Sequence, residues 1–298
     1  MLKTSTTPNI FALSTLRVST NRPEIFAITS GKGGVGKTNL SVNLALLLKR
    51  LKKNVLLVDA DIHLGNVDLL LGIRPTATVA QVMTGEKTLA EIIIKGPTGI
   101  DVLPASSAVL DMIEAEDEVI KRIGDSFLGF EHNYDFVVVD TGAGLGKNVM
   151  AFSLGADKLI VVVTPDPASI ADAYGVIKIL LQKVPSLPIM LVTNMVRNDE
   201  EGMNLYKKMN LMVQRFLGNK ILFGGAIVRD DNVRDAVQHQ TPIVLEYPNS
   251  QPTNAIKLIT RNLLKMPSKD ASERVSLFDG LRTNRDAIIG ELDDQSSK

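Results

Sequence analysis

The sequence contains no cysteine. That excludes disulfides, iron–sulfur clusters and thiolate zinc sites. Only three histidines occur, His63, His132 and His239, and they form no cluster along the chain. A histidine-built catalytic centre therefore has little to draw on. Charge of either sign is not in excess: 33 Lys and Arg face 33 Asp and Glu. That balance gives no general pull toward nucleic acid as the main partner, and no specific nucleic acid is expected. No stretch approaches the roughly 18–20 continuous apolar residues of a membrane span. Residues 1–9 are polar and no long apolar core follows them, so the start does not read as a secretory signal. A cytoplasmic location is the expectation.

What is present is a long alternation. The 298 residues are enough for one large α/β domain or two small ones. Apolar runs over 24–29, 54–59, 99–103, 134–140, 158–164, 188–193 and 220–227 read as strands. Amphipathic stretches over 37–51, 78–84, 88–94, 108–123, 147–154, 168–183, 200–217, 232–239 and 250–265 read as helices. Strands apolar at nearly every position, such as Phe136-Val137-Val138-Val139, suit a parallel sheet buried on both faces. Repeated β-α units predict an α/β, doubly wound, mostly parallel sheet with helices on both faces.

The ends differ from this body. Residues 1–23 are rich in Thr and Ser and read as a flexible arm, 24–266 as the domain, and 267–298 as a polar tail. Within the tail Leu277, Leu281, Ile288 and Leu292 recur at helical spacing. Two readings stand side by side: a solvated segment or intramolecular cover, and a helix that docks on a partner or a membrane surface. Seven acids against five bases in 269–298 disfavour an anionic membrane.

The most specific signal is Gly31-Lys32-Gly33-Gly34-Val35-Gly36-Lys37-Thr38, followed by Asn39. It lies between the first predicted strand and the first predicted helix, the context a phosphate-binding loop requires. Glycines let backbone N–H groups converge on phosphate oxygens, and the helix N-terminus adds positive potential. Lys37 would reach the β- and γ-phosphates, and Thr38 would hold Mg²⁺. Lys32 is a second lysine that this role does not need. It would reach the nucleotide of a second, face-to-face copy, or it is a solvated loop residue, and spacing alone does not decide.

Acids recur at strand ends on the phosphate side. In Asp59-Ala60-Asp61 both carboxylates point the same way from an extended segment. One would reach the Mg²⁺ shell and the other would orient water, unless they are turn acids. Four apolar residues ending in Asp140 have the Walker-B form, in which the acid holds Mg²⁺. Thr141-Gly142-Ala143-Gly144 follows as a turn whose N–H groups would sense a γ-phosphate. No glutamate follows Asp140, so water activation falls to Asp61. Asn194, at the end of another strand, suits an adenine edge or a turn equally.

These residues carry a resemblance. The loop with Lys32 resembles the deviant Walker A loop of the MinD/ParA ATPases. Asp59-Ala60-Asp61 with Asn66 to Gly72, and Asp140 to Leu145, are similar to that family's corresponding segments. Further stretches resemble the FlhG (YlxH, FleN) branch, which regulates flagellar number and placement. They are Gly85 to Leu89, Leu103 to Ser107, Thr164 to Pro167, Asn194 to Arg197, Asn232 to Arg234 and Tyr247 to Ser250. The resemblance covers about residues 24–265.

It implies an ATP-dependent homodimer with two nucleotides at the interface. Lys32 would act across it, Asp61 would serve slow hydrolysis, and Asn194 with Val228 and Arg229 would sit at adenine. It also implies partners: an FlhF-type GTPase, flagellar switch proteins, a transcriptional activator, and the inner face of the membrane through a C-terminal amphipathic helix. A partition ATPase that binds DNA nonspecifically is the alternative, with Arg261, Lys265 and Lys269 as its thin basic set. A P-loop biosynthetic enzyme is a third.

Overall fold

A computed structural model describes residues 22–61, 65–104, 132–270 and 274. His63, the helix expected over 108–123, the arm over 1–21 and the tail from 275 onward lie outside the described residues.

Eight strands form one sheet in the order β3-β4-β2-β5-β1-β6-β7-β8. They are β1 Glu24–Ser30, β2 Val55–Ala60, β3 Ile94–Lys95, β4 Asp101–Leu103, β5 Phe136–Ala143, β6 Lys158–Val163, β7 Ile189–Val196 and β8 Leu222–Val228. Every pairing is parallel except β3 with β4. The short antiparallel edge was not predicted, because two residues carry no periodicity. The fold is the expected α/β class, a doubly wound and mostly parallel sheet. β1 lies between β5 and β6, so the chain changes direction across the sheet beside β1. The crevice at the carboxyl end of such a strand is where ligands bind in this architecture.

Side chains along each strand alternate between two cores. Phe26, Ile28, Val138 and Ile160 face one, and Ile25, Ala27, Val137 and Val161 face the other. The first core is covered by α1 (Lys37–Arg50) and by the C-terminal helix Gln251–Lys265. The second is covered by the helices Lys147–Gly155, Pro167–Lys183 and Asp199–Leu217. In chain order the α-helices among the described residues are α1, α2 (Val67–Leu71), α3 (Val79–Met83), α4 (Leu89–Ile92), α5 (Lys147–Gly155), α6 (Pro167–Lys183), α7 (Asp199–Leu217), α8 (Asp231–Gln238), α9 (Ile243–Glu246) and α10 (Gln251–Lys265). Leu44 to Leu48 of α1 are buried all round, since the sheet, α10 and α2 enclose that helix. Each such leucine stabilises the fold by roughly 1.5–3 kcal/mol. Among the described residues no helix is long and apolar enough to cross a membrane.

Candidate functional site

The loop of residues 31–36 joins the carboxyl end of β1 to α1. Gly36 sits at the helix start with φ 92°, and a side chain there would overlap the Asn194 amide. Only glycine combines that left-handed turn with such close approach. Asp166, Asn198, Asp230 and Ser250 cap α6, α7, α8 and α10 with their side chains. No side chain caps α1. Its first N–H groups therefore remain for another acceptor, which suits an anion.

Beneath the loop two strand ends and the start of α1 bring charge together. Asp59 and Asp140 are register partners on the adjacent strands β2 and β5, and both are buried. Asp59 accepts the N–H of Asp61 at 3.1 Å and of Val67 at 3.2 Å. Burial, reinforced by Asp140, pushes its carboxyl up to about 7. Asp140 accepts the Ser41 hydroxyl at 2.8 Å and also meets the Thr38 hydroxyl. Burial raises Asp140 to about 6, against the pull of Thr38, Ser41 and Lys37. The buried Lys37 ammonium is pushed down by desolvation and drawn back up by Asp140 and Asp61.

Asp140 Oδ2 is buried and has no hydrogen-bond partner among the described residues. Two buried carboxylates, one of them with a spare oxygen, beside a threonine hydroxyl are hard oxygen donors of the kind Mg²⁺ takes. The residues present thus fit a Mg²⁺-bound phosphate. Asp61 lies next to Gly142: a Cβ on that glycine would be 3.5 Å from Asp61 Oδ1. Thr141 to Ala143, expected as a turn, continue β5, and this end is tied to β1: Gly144 N–H donates to Ser30 O at 2.8 Å and Thr141 Oγ1 donates to Ile28 O at 2.9 Å.

On one side of the loop a cavity of about 590 Å³ is lined by Gly36, Asn39, Asn194, Val228, Arg229 and Pro252, among others. Asn194 Nδ2 donates to Val35 O at 2.7 Å, so this side chain is fixed to the loop itself. On the other side a cavity of about 500 Å³ is lined by Lys32 to Val35, Thr164 to Asp166, Met195, Arg197, Glu201 and Arg229. Lys32 is exposed there and donates to Asp166 at 2.8 Å. Gly31 is pressed against the α6 backbone at Asp172 and Ala173.

The sequence-predicted residues therefore divide into three groups around one loop. Lys37, Thr38, Asp59, Asp61, Asp140 and Gly142 lie beneath or beside it. Asn39, Asn194, Val228 and Arg229 share the inner cavity, and Lys32 stands on the outer rim. Sequence reasoning missed Ser41, which holds Asp140 from one helical turn beyond Lys37 and has no motif of its own. It also missed Asp166 as the partner of Lys32. The Asp166-Pro167 pair is a helix-start signature that could have placed it.

A glycine loop between a central strand and a helix, set over two strand-end acids at the switch point, defines a P-loop nucleotide-binding protein. A family model described as "AAA domain" matches residues 23–196. The chain is 38% identical to the antiactivator FleN of Pseudomonas aeruginosa, over 82% of this chain and 87% of that protein. It is 37% identical to the flagellum site-determining protein YlxH of Helicobacter pylori, over 62% of this chain and 63% of that protein. Its fold matches the septum site-determining protein MinD complexed with Mg-ADP from Pyrococcus horikoshii, with TM-score 0.65 and 23% identity over 81% of this chain and 96% of that one. The chain belongs to the MinD/ParA family of ATPases.

Proposed function

We propose that the chain is an ATP-switched dimer that controls the number or placement of flagella. The reading assigns the triphosphate to the backbone of Gly31, Lys32, Gly33, Gly34, Val35 and Gly36, with Lys37, Thr38 and Asn39 completing the cradle. Mg²⁺, held by Thr38, Asp59 and Asp140, would neutralise phosphate charge. Asp61 would orient the attacking water, and Gly142 would sense the γ-phosphate. Asn194, Val228 and Arg229 would contact the adenine, and Lys32 would reach the nucleotide of the other copy. A lysine supplied in that way is worth roughly 10³–10⁵ in rate when it acts as an arginine finger does.

The observation that carries the reading is the contrast between the two lysines. Lys37 is buried against Asp140 and Asp61, whereas Lys32 stands exposed on the outer rim of the same loop. The names of the relatives FleN, an antiactivator, and YlxH, a flagellum site-determining protein, support the flagellar setting. In that setting the partners would be an FlhF-type GTPase, flagellar switch proteins or a transcriptional activator. Residues 24–266 would form the ATPase unit, and the tail beyond would make peripheral membrane contact.

The test is Asp61→Ala with ATP, read by light scattering. It should accumulate as a dimer, while the wild type returns to monomer as ATP is consumed. A variant that stays monomeric with ATP removes Asp61 from hydrolysis. Cells that express the trapped variant should change their flagellar count, and an unchanged count would refute the flagellar role while leaving the ATP switch standing.

A further inference from the structure

The cavity on the outer side of the loop is lined by more cations than Lys32 alone. Arg197 enters it from the turn between β7 and α7, and Arg229 from the end of β8. Arg197 is clipped to Glu201, one helical turn on. Its Nε donates to Glu201 Oε1 at 2.9 Å, and its backbone N–H donates to Oε2 at 2.6 Å. A second guanidinium nitrogen lies 2.8 Å from the same Oε1. Lys32 is held in a similar way by Asp166. Both cations reach water, with the Arg197 side chain 85% exposed and that of Lys32 44% exposed, while the Glu201 side chain is 21% exposed.

Cations at a water-facing rim are screened by salt and can exchange one anion for another. A polyphosphate offers more charge and more acceptor oxygens than one carboxylate, and a guanidinium fork meets it with two bonds at once. The local backbone is bent to present the residue. β7 carries a bulge between Asn194 and Val196, with Met195 at φ 57°, a conformation that a methionine rarely adopts. That bulge lets Asn194 line the inner cavity while Arg197, three residues on, lines the outer one. Backbone strain of this kind clusters at binding sites and switch segments.

We propose that Arg197 acts together with Lys32 across the dimer interface, exchanging Glu201 for the polyphosphate of the partner copy's nucleotide. The proposal rests on the ATP-driven dimer argued above. It gives the outer rim two transferable cations instead of one, and it makes Glu201 the resting partner that occupies Arg197 in the single copy.

Four proteins decide it: the wild type, Arg197→Ala, Arg197→Lys and Glu201→Gln. Each is titrated with ATP while light scattering reports the dimer, and each is titrated as a monomer with fluorescent ADP. Arg197→Ala should need at least about tenfold more ATP to dimerise and should keep its ADP affinity within about twofold, as expected for a charge supplied across an interface. Arg197→Lys should recover part of the loss. Glu201→Gln should dimerise at the wild-type ATP concentration or below it, because Arg197 is freed. Wild-type behaviour of Arg197→Ala overturns the proposal. So does an equal defect in Glu201→Gln, which would make the pair a structural clip. A matching loss of ADP affinity in Arg197→Ala would place the arginine on its own copy's nucleotide and overturn it as well. If the wild type fails to dimerise, the dimer reading falls and takes this proposal with it, an outcome distinct from the other three.

Discussion

Asp59 and Asp140 share a nearly dry space with one ammonium, that of Lys37. Two buried carboxylates against one buried cation leave a net negative centre, and the protein offsets part of that cost with N–H and hydroxyl donors. The acids were readable from their positions at strand ends. Their mutual repulsion was not, because it depends on the register that sets residue 59 opposite residue 140. Far from this centre, His239 Nδ1 lies 2.6 Å from Glu246 Oε1 in an exposed pair. The Glu246 hydrogen bond, with its charge second, raises the imidazole above its ordinary 6.5. A folded-state value above the unfolded one means that protonation favours folding. This contribution is therefore complete below pH 6.5 and is lost as pH rises through the folded value. Glu246→Gln should lower the His239 midpoint in an NMR titration and remove that part of the pH dependence of stability.

Among the elements, length and start signals together decided what could be read: α3 and α4 are short, yet Thr78 and Thr88 open capping boxes that mark them. α6, α7 and α10 announce themselves by periodicity and by starts at Asp166-Pro167, Asn198 and Ser250. α2, α9 and β3 are as short but have no such box, and no period emerges over so few residues. The contact between the loop and α6 is of the same tertiary kind. At Gly31 a methyl group would overlap the α6 backbone at Asp172. Gly31→Ala should therefore displace the helix start or cost about 1–3 kcal/mol, visible as a lowered thermal midpoint without nucleotide. The loop motif marks Gly31 as part of a phosphate cradle, but it carries no sign of the helix pressed against it.

Across the whole molecule, the amino ends of the strands hold the two ends of the described chain together. Asp157 is buried; it accepts from Arg22 at 2.6 Å and from the Ile25 N–H at 2.9 Å, and Arg274 Nε lies 3.9 Å from it. Beside it the buried Lys158 pairs with Glu24 at 3.0 Å, and Lys269 Nζ donates to Leu154 O at 2.7 Å. Asp157→Ala would take the buried carboxylate from Arg22 and leave the Ile25 N–H without its acceptor. Loss of a buried partner of this kind costs about 3–5 kcal/mol, so urea unfolding should shift to markedly lower concentration. A shift under about 1 kcal/mol would show that water replaces the carboxylate and that the clasp is ornamental.

The sequence by itself determined the layered α/β class, the phosphate loop and the strand-end acids. Those properties follow from local patterning: apolar runs that must be buried on both faces, and a glycine spacing that lets N–H groups converge. Only the tertiary structure decided which groups meet. Strand order set Asp59 against Asp140, the bulge in β7 sent Asn194 and Arg197 to different cavities, and the packing of α6 gave Lys32 its carboxylate. The first and last of these meetings join residues 81 and 134 positions apart in the chain (140 − 59 and 166 − 32). Spacing along a chain carries information about neighbours within a helical turn or a strand, and none about which distant segment will be folded against them.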